Sequence, residues 1–173
     1  MSLDPLRAAL VLFVAAIIQI SVVPSYAPYG DGANVVLVTL LSIALLRGSV
    51  FGAAAGFGVG LLLDTAHLGT LGVTSLLLTL AGFWIGRYGE TTARDRFHAP
   101  FTSVGVVTVL YAFGELALRF VLGDPAPAGA VVAGLPLTLL LNLLLTLPVY
   151  ALVRRIFPPQ DVSDRVREVR LLG

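Results

Sequence analysis

Long uncharged stretches are the feature that most limits what this chain can fold into. The charged residues of the 173-residue sequence are concentrated in short regions, such as residues 87–96 and 154–170. Six uncharged stretches separate them: residues 8–30, 32–46, 48–63, 65–86, 97–114 and 125–153. A helix that crosses the roughly 30 Å hydrocarbon core of a bilayer needs about 20 apolar residues. Only 12% of the residues are charged, against about 25% in soluble domains. The pattern therefore favours a polytopic membrane protein over a soluble enzyme.

The lengths of these stretches predict an all-α membrane protein, a compact bundle of six transmembrane segments. Full-length segments fit near residues 6–23, 71–86, 101–122 and 130–153. Segments 2 and 3, within residues 32–46 and 48–63, are short, since they reach only about 22–24 Å at 1.5 Å per residue. They either cross a locally thinned bilayer or form a partial hairpin, and both alternatives return the chain to the side it left. We expect residues 1–157 to form the membrane domain and residues 158–173 a short cytoplasmic tail.

The arginines orient this bundle. All 11 basic residues are arginine, and ten of them fall at the chain start, at the chain end or on alternate connections. The positive-inside rule then places both termini in the cytoplasm. A cleaved signal peptide ending near residues 25–27 is the weaker alternative for segment 1, because the apolar run is long for such a peptide. No basic cluster exceeds a few residues, so no nucleic-acid partner is predicted. The ten are Arg7, Arg47, Arg87, Arg94, Arg96, Arg154, Arg155, Arg165, Arg167 and Arg170.

Small residues recur at helical spacing in segments 3 and 4. Glycines stand at every fourth position of segment 3, which keeps one helix face free of side chains and lets another backbone approach closely. We expect this face to pack inside the protein, and the alternative is contact with the helix of a partner. The residues are Gly48, Gly52, Gly56 and Gly60 in segment 3, and Ser75, Thr79, Gly82 and Gly86 in segment 4.

Three polar side chains lie within the predicted membrane region of segments 5 and 6. Glu115 and Arg119 are four residues apart in the favourable order for an ion pair on a helix, and a charge at this depth requires a partner. A self-satisfied structural pair is the main interpretation, and a substrate or proton path is the alternative. Asn142 lies near the middle of segment 6 and needs a hydrogen-bonding partner there.

The sequence carries no recognisable catalytic constellation. It contains no cysteine, which excludes thiolate metal sites and cysteine nucleophiles. Phosphate-binding glycine loops with lysine, GxSxG and HExxH motifs are all missing from it. Asp64 and His67 have the spacing of two metal ligands, but no third ligand accompanies them. We therefore predict no enzymatic activity, no cofactor and no metal.

Residues 34–48, 52–64 and 68–72 together resemble the rod shape-determining protein MreD family. The family pattern has an apolar stretch opened by Pro-Asp or Pro-Asn, a G…GF..GL..D block, and a loop with Leu-Gly. Asn34 corresponds to the polar residue at the opening, Asp64 to the acid, and Gly69 and Gly72 to the loop. Gln19, followed by Pro24, is also typical of the family. Ala33 replaces the usual proline, which implies a less rigid entry into segment 2.

The resemblance implies a non-enzymatic inner-membrane scaffold of the cell-elongation machinery, which makes peptidoglycan in rod-shaped bacteria. Its implied partners are MreC, the RodA synthase with its penicillin-binding transpeptidase, the cytoplasmic MreB filaments and membrane lipid. The family fold is likened to the substrate-binding subunits of energy-coupling-factor transporters. A small-molecule uptake subunit of the vitamin type is therefore the alternative function. A lipid-carrier flippase, with Glu115 and Arg119 in the path, is a third.

Asp64 is the site residue for which the sequence makes the most specific prediction. It ends the family-like block, and the short loop that follows places it at the periplasmic boundary. We expect its carboxylate to lie in a recess and to accept hydrogen bonds from backbone N–H groups, such as those of residues 69–72. The alternative is an ordinary solvated loop acid.

Overall fold

The computed structural model of the protein describes residues 4–21, 32–66, 71–93, 98–123 and 128–157. Six α-helices and no strand occur within these ranges: α1 (Asp4–Ser21), α2 (Val35–Arg47), α3 (Ser49–Ala66), α4 (Val73–Tyr88), α5 (Ala99–Val121) and α6 (Ala128–Ile156). A π-helical turn, Gly89–Ala93, continues α4. The all-α prediction is confirmed, whereas the predicted tail, residues 158–173, lies outside the described residues.

Helix α2 forms the centre of the bundle. It has 13 residues, every residue from Val36 to Leu46 is buried, and α2 packs against each of the other five helices. Its sequence, VVLVTLLSIALLR, is apolar on all sides, which is typical of a helix that is surrounded by protein. At 1.5 Å per residue it is only about 20 Å long. The short second segment is therefore a buried partial helix inside the bundle.

Segment 3 differs from the sequence prediction. Helix α3 has 18 residues and is long and apolar enough to cross a membrane, as are α1, α5 and α6. It exceeds the uncharged stretch because Asp64, Thr65 and Ala66 continue the helix. Helix α4 has 16 residues, the same number as the predicted segment 71–86, and lies two residues further along the chain. The sequence prediction ends the helix before the charged Asp64, but Asp64 is helical and its carboxylate accepts hydrogen bonds from backbone N–H groups of α4.

Polar contacts show which helix ends lie together. Arg47 at the end of α2 is 3.2 Å from Asp4 at the start of α1, and its guanidinium lies 5.2 Å from the ring centroid of Phe157. Ser49 at the start of α3 bonds to Glu90, which follows α4. These residues define the Arg47 end of the bundle. Asp64 and the start of α4 define the opposite Asp64 end, so consecutive helices α1 to α4 alternate in direction.

Helices α3 and α4 make the closest helix contact through their small residues. A Cβ built on Gly52 would meet the carbonyl oxygen of Gly82, and one built on Gly56 would meet the carbonyl oxygen of Leu78. In the same way Gly60 lies against the backbone of Ser75, and Gly86 against that of Gly48. The glycine face of α3 therefore packs on α4 within this chain, and the backbones approach to a distance that no side chain could occupy.

Gly56→Leu should lower the stability of the bundle by at least about 1–3 kcal/mol, because the new side chain overlaps the backbone of α4. Gly58→Leu is the matched control: it gains the same helix propensity, but a Cβ on Gly58 meets nothing within 4 Å. Thermal unfolding in detergent should show a lower Tm for the first variant only. An equal Tm for the two variants would contradict the assigned packing face.

Candidate functional site

Asp64, in the last turn of α3, caps the start of α4. Its side-chain oxygens accept hydrogen bonds from the N–H groups of Gly72 at 2.8 Å, Thr74 at 3.1 Å and Ser75 at 3.1 Å. The residue is only 4% exposed. The first N–H groups of a helix lack partners within the helix, and the positive end of the helix dipole stabilises a carboxylate there. A residue of one helix thus serves as the N-cap of the next.

Gly72 explains why the cap comes from a distant residue. It stands at the N-cap position of α4 with φ 100°, and it has no side chain that could accept a hydrogen bond. Such a left-handed φ favours glycine, and a glycine has no side chain to cap the helix that it precedes. Ser75 adds a further link between the helices, since its hydroxyl donates to the carbonyl oxygen of Phe57 at 3.1 Å. Gly69, also predicted here, lies outside the described residues.

Glu90, which the sequence reasoning missed, caps the start of α3 at the Arg47 end of the bundle. Its Oε1 accepts from the backbone N–H of Ser49 at 2.8 Å and from the Ser49 hydroxyl at 3.1 Å. A Cβ on Gly48 would meet this oxygen, and Gly48 has φ 98°. Arg87 lies 3.7 Å from the other carboxylate oxygen. The sequence signal for this cap is an acidic residue just after segment 4, together with the Gly48-Ser49 pair at the start of segment 3.

Three amide side chains from three helices meet at the start of α2. Asn34 accepts from the N–H of Leu37 at 2.9 Å, as an ordinary N-cap residue does. Gln19 of α1 accepts from the N–H of Val35 at 2.7 Å, and Asn142 of α6 accepts from the N–H of Asn34 at 2.7 Å. We call Gln19, Asn34 and Asn142 the amide cluster.

The amide cluster allows α2 to begin in the interior. Asn142 is 0% exposed, and its position is the midpoint of the 29-residue helix α6. Its amide nitrogen also donates to the Thr108 hydroxyl of α5 at 3.1 Å. Unpaired backbone N–H groups at this depth would cost several kcal/mol each. Neutral amides satisfy them without bringing a charge into the core, and they fix the positions of α1, α5 and α6 relative to α2.

Glu115 and Arg119 form an ion pair on the surface of α5. The Arg119 guanidinium donates to the Glu115 carboxylate at 2.8 and 3.0 Å, and the two side chains are 35% and 44% exposed. They face the outside of the bundle rather than its core. Thr79, predicted with the small-residue face of α4, donates its hydroxyl to the carbonyl oxygen of Ser75 at 2.6 Å and so stays within its own helix.

The described residues contain no group of three or more His, Cys, Asp or Glu side chains that could hold a metal ion. Their buried polar groups serve mainly as helix caps and as contacts between helices. The chemistry of this site is therefore the satisfaction of backbone N–H groups at helix starts. Its effect is to hold short helices at set positions.

Comparison with protein families identifies the chain. The family model of the rod shape-determining protein MreD matches residues 6–156. The chain belongs to the MreD family. It is therefore a rod shape-determining membrane protein, and the resemblance carried by residues 34–72 is confirmed over nearly the whole described bundle. No curated protein and no solved structure matches the chain.

Asp64→Ala should destabilise the bundle by about 1.5–3 kcal/mol, the usual cost of losing a buried charge-assisted hydrogen bond. Thr65→Ala is the matched control, because Thr65 is exposed and its hydroxyl donates only to the carbonyl oxygen of Leu62. Chemical unfolding in detergent measures both. Similar stability of the two variants would mean that the cap on α4 contributes little.

Asn142→Leu should leave the N–H of Asn34 without an acceptor and cost about 1–3 kcal/mol. Hydrogen exchange of residues 34–38 should become faster, because the start of α2 loses its link to α6. Leu144→Ala is the control, since Leu144 is 67% exposed and removed from the amide cluster. Unchanged exchange in Asn142→Leu would show that α2 does not depend on this contact.

Proposed function

We propose that this protein is a non-enzymatic scaffold of the bacterial cell-elongation machinery, spanning the inner membrane several times. The observation that carries the proposal is the match of the MreD family to residues 6–156. The use of polar groups supports it. Asp64, Glu90 and the amide cluster are all engaged with backbone N–H groups, which suits a rigid structural body.

The proposed partners follow from the family. MreC is the first, and RodA with its penicillin-binding transpeptidase is reached directly or through MreC. MreB filaments lie on the cytoplasmic side, and lipid surrounds the bundle. A bundle whose helices are joined by polar contacts suits this role, because it can hold a partner at a set position in the membrane without taking part in its chemistry.

The proposed orientation has both termini in the cytoplasm. Of the arginines in described residues, Arg7, Arg47, Arg87, Arg154 and Arg155 stand in the first or last turn of helices whose termini lie at the Arg47 end. Positive residues are enriched on the cytoplasmic side of membrane proteins, so we assign the Arg47 end to the cytoplasm and the Asp64 end to the periplasm. Residues 1–157 are then the membrane domain and residues 158–173 a cytoplasmic tail.

Affinity purification of the tagged full-length chain in a mild detergent tests this function. The scaffold predicts that MreC is recovered with it, and that an unrelated six-helix membrane protein with the same tag recovers none. Recovery of a pair of ATPase subunits instead would contradict the proposal and support the substrate-binding subunit of a small-molecule transporter.

A further inference from the structure

A groove lies between α1 and α3 on the surface of the bundle. It encloses about 690 Å³, a volume within the roughly 300–1,000 Å³ range of small-molecule sites. Residues 5–13 of α1 and residues 51–62 of α3 supply its two walls, and every lining residue is apolar. Asp4 and Ser49 begin these two helices at the Arg47 end. The groove therefore starts at the Arg47 end and extends from there into the membrane.

The depth of the groove corresponds to one leaflet of a bilayer. At 1.5 Å per residue, the α1 wall is about 12 Å long and the α3 wall about 17 Å long. One leaflet contributes about 15 Å, which is half of the roughly 30 Å hydrocarbon core. A helix of a partner crosses both leaflets and would run on past the groove, whereas the acyl chain of a lipid occupies a single leaflet. The dimensions thus favour an acyl chain as the occupant.

Small residues give the groove its width. Ala9 of α1 and Ala54 and Gly58 of α3 are exposed along it, and a Cβ built on Gly58 would meet nothing within 4 Å. Larger apolar side chains of α1 accompany them, with Leu10 at 65% and Phe13 at 51% exposed. A hydrocarbon chain is flexible and needs no directional contact, so it can fill an irregular apolar space of this kind by dispersion contacts alone.

The charge at the start of the groove selects a headgroup. The described residues of the Arg47 end carry five arginines and two acids, Asp4 and Glu90, which is a balance of three positive charges. Arg7 directly follows Leu6 of the groove and is exposed. Arginines at the membrane surface attract anionic headgroups, and the side chain can reach a headgroup while its stem stays in apolar surroundings. An anionic phospholipid matches both the charge and the groove.

We propose that the α1–α3 groove binds one anionic phospholipid from the leaflet at the Arg47 end, with an acyl chain between the two helices and the headgroup near Arg7. Under the proposed orientation this is the cytoplasmic leaflet. Only four of the 18 residues of α1 are buried in the protein, so the lipid adds apolar contact that holds α1 beside α3. The lipid is a structural component of the bundle, distinct from the lipid that surrounds it.

Native mass spectrometry of the full-length chain tests this proposal in either orientation. The chain is reconstituted in an equal mixture of phosphatidylglycerol and phosphatidylethanolamine, extracted in a mild detergent and activated stepwise in the gas phase. One phosphatidylglycerol should stay bound after the other lipids have dissociated.

Gly58→Leu should lose this retained lipid, because the new side chain fills the groove. Gly129→Leu is the matched control and should keep it: a Cβ on Gly129 also meets nothing within 4 Å, and this residue lies on α6. The Tm of Gly58→Leu in detergent shows whether the variant is folded. Ala54→Leu, on the same exposed wall, is a second variant that fills the groove. Arg7→Gln should keep one lipid but bind the two headgroups equally.

Three outcomes would overturn the proposal. Equal lipid retention by the natural chain and by both groove-filling variants means that the groove holds no lipid. Retention of phosphatidylethanolamine as often as phosphatidylglycerol by the natural chain means that its headgroup is not selected by charge. Loss of a second copy or of a co-purified protein from Gly58→Leu, with lipid retention unchanged, means that the groove binds a helix instead.

Discussion

The bundle depends on the satisfaction of backbone N–H groups where water is excluded. Helix α2 is surrounded by protein from Val36 to Leu46 and begins beside the midpoint of α6, so its first N–H groups need acceptors within the bundle. Side-chain oxygens of Gln19, Asn34 and Asn142 accept from them. Because Gln19 belongs to α1 and Asn142 to α6, this one requirement of α2 determines how α1 and α6 are placed around it.

The same requirement shapes the α3–α4 hairpin, but carboxylates meet it there. Asp64 of α3 caps the start of α4, and Glu90, which follows α4, caps the start of α3. Each helix of the hairpin therefore depends on its neighbour for a hydrogen-bond acceptor. Charge is tolerated at these positions because they lie at the two ends of the hairpin. Close backbone contact at Gly52 and Gly56 supports the arrangement, since the caps and the glycines require one and the same register between the helices.

Much of the fold and of the candidate site could be predicted from particular residues of the sequence. Uncharged stretches located all six helices, and four-residue spacing found the glycine face. The resemblance to the MreD family pointed to Gln19, Asn34 and Asp64, and these residues accept the hydrogen bonds at helix starts. The predicted length of segment 3 is wrong because an acidic residue does not have to end a helix: Asp64 remains helical and accepts hydrogen bonds from the next helix. Glu90 was missed because its partner, Ser49, is 41 positions away.

The sequence by itself determined that the chain is helical, that it belongs in a membrane and that it resembles the MreD family. Only the tertiary structure decided which faces meet: that the glycines of α3 lie on α4, and that Asn142 reaches Asn34 across 108 positions. In a soluble protein the hydrophobic pattern separates inside from outside. In a membrane both the interior and the lipid-facing surface are apolar, so the pattern does not identify neighbours. That information resides in the few polar contacts, which form only once the helices are together.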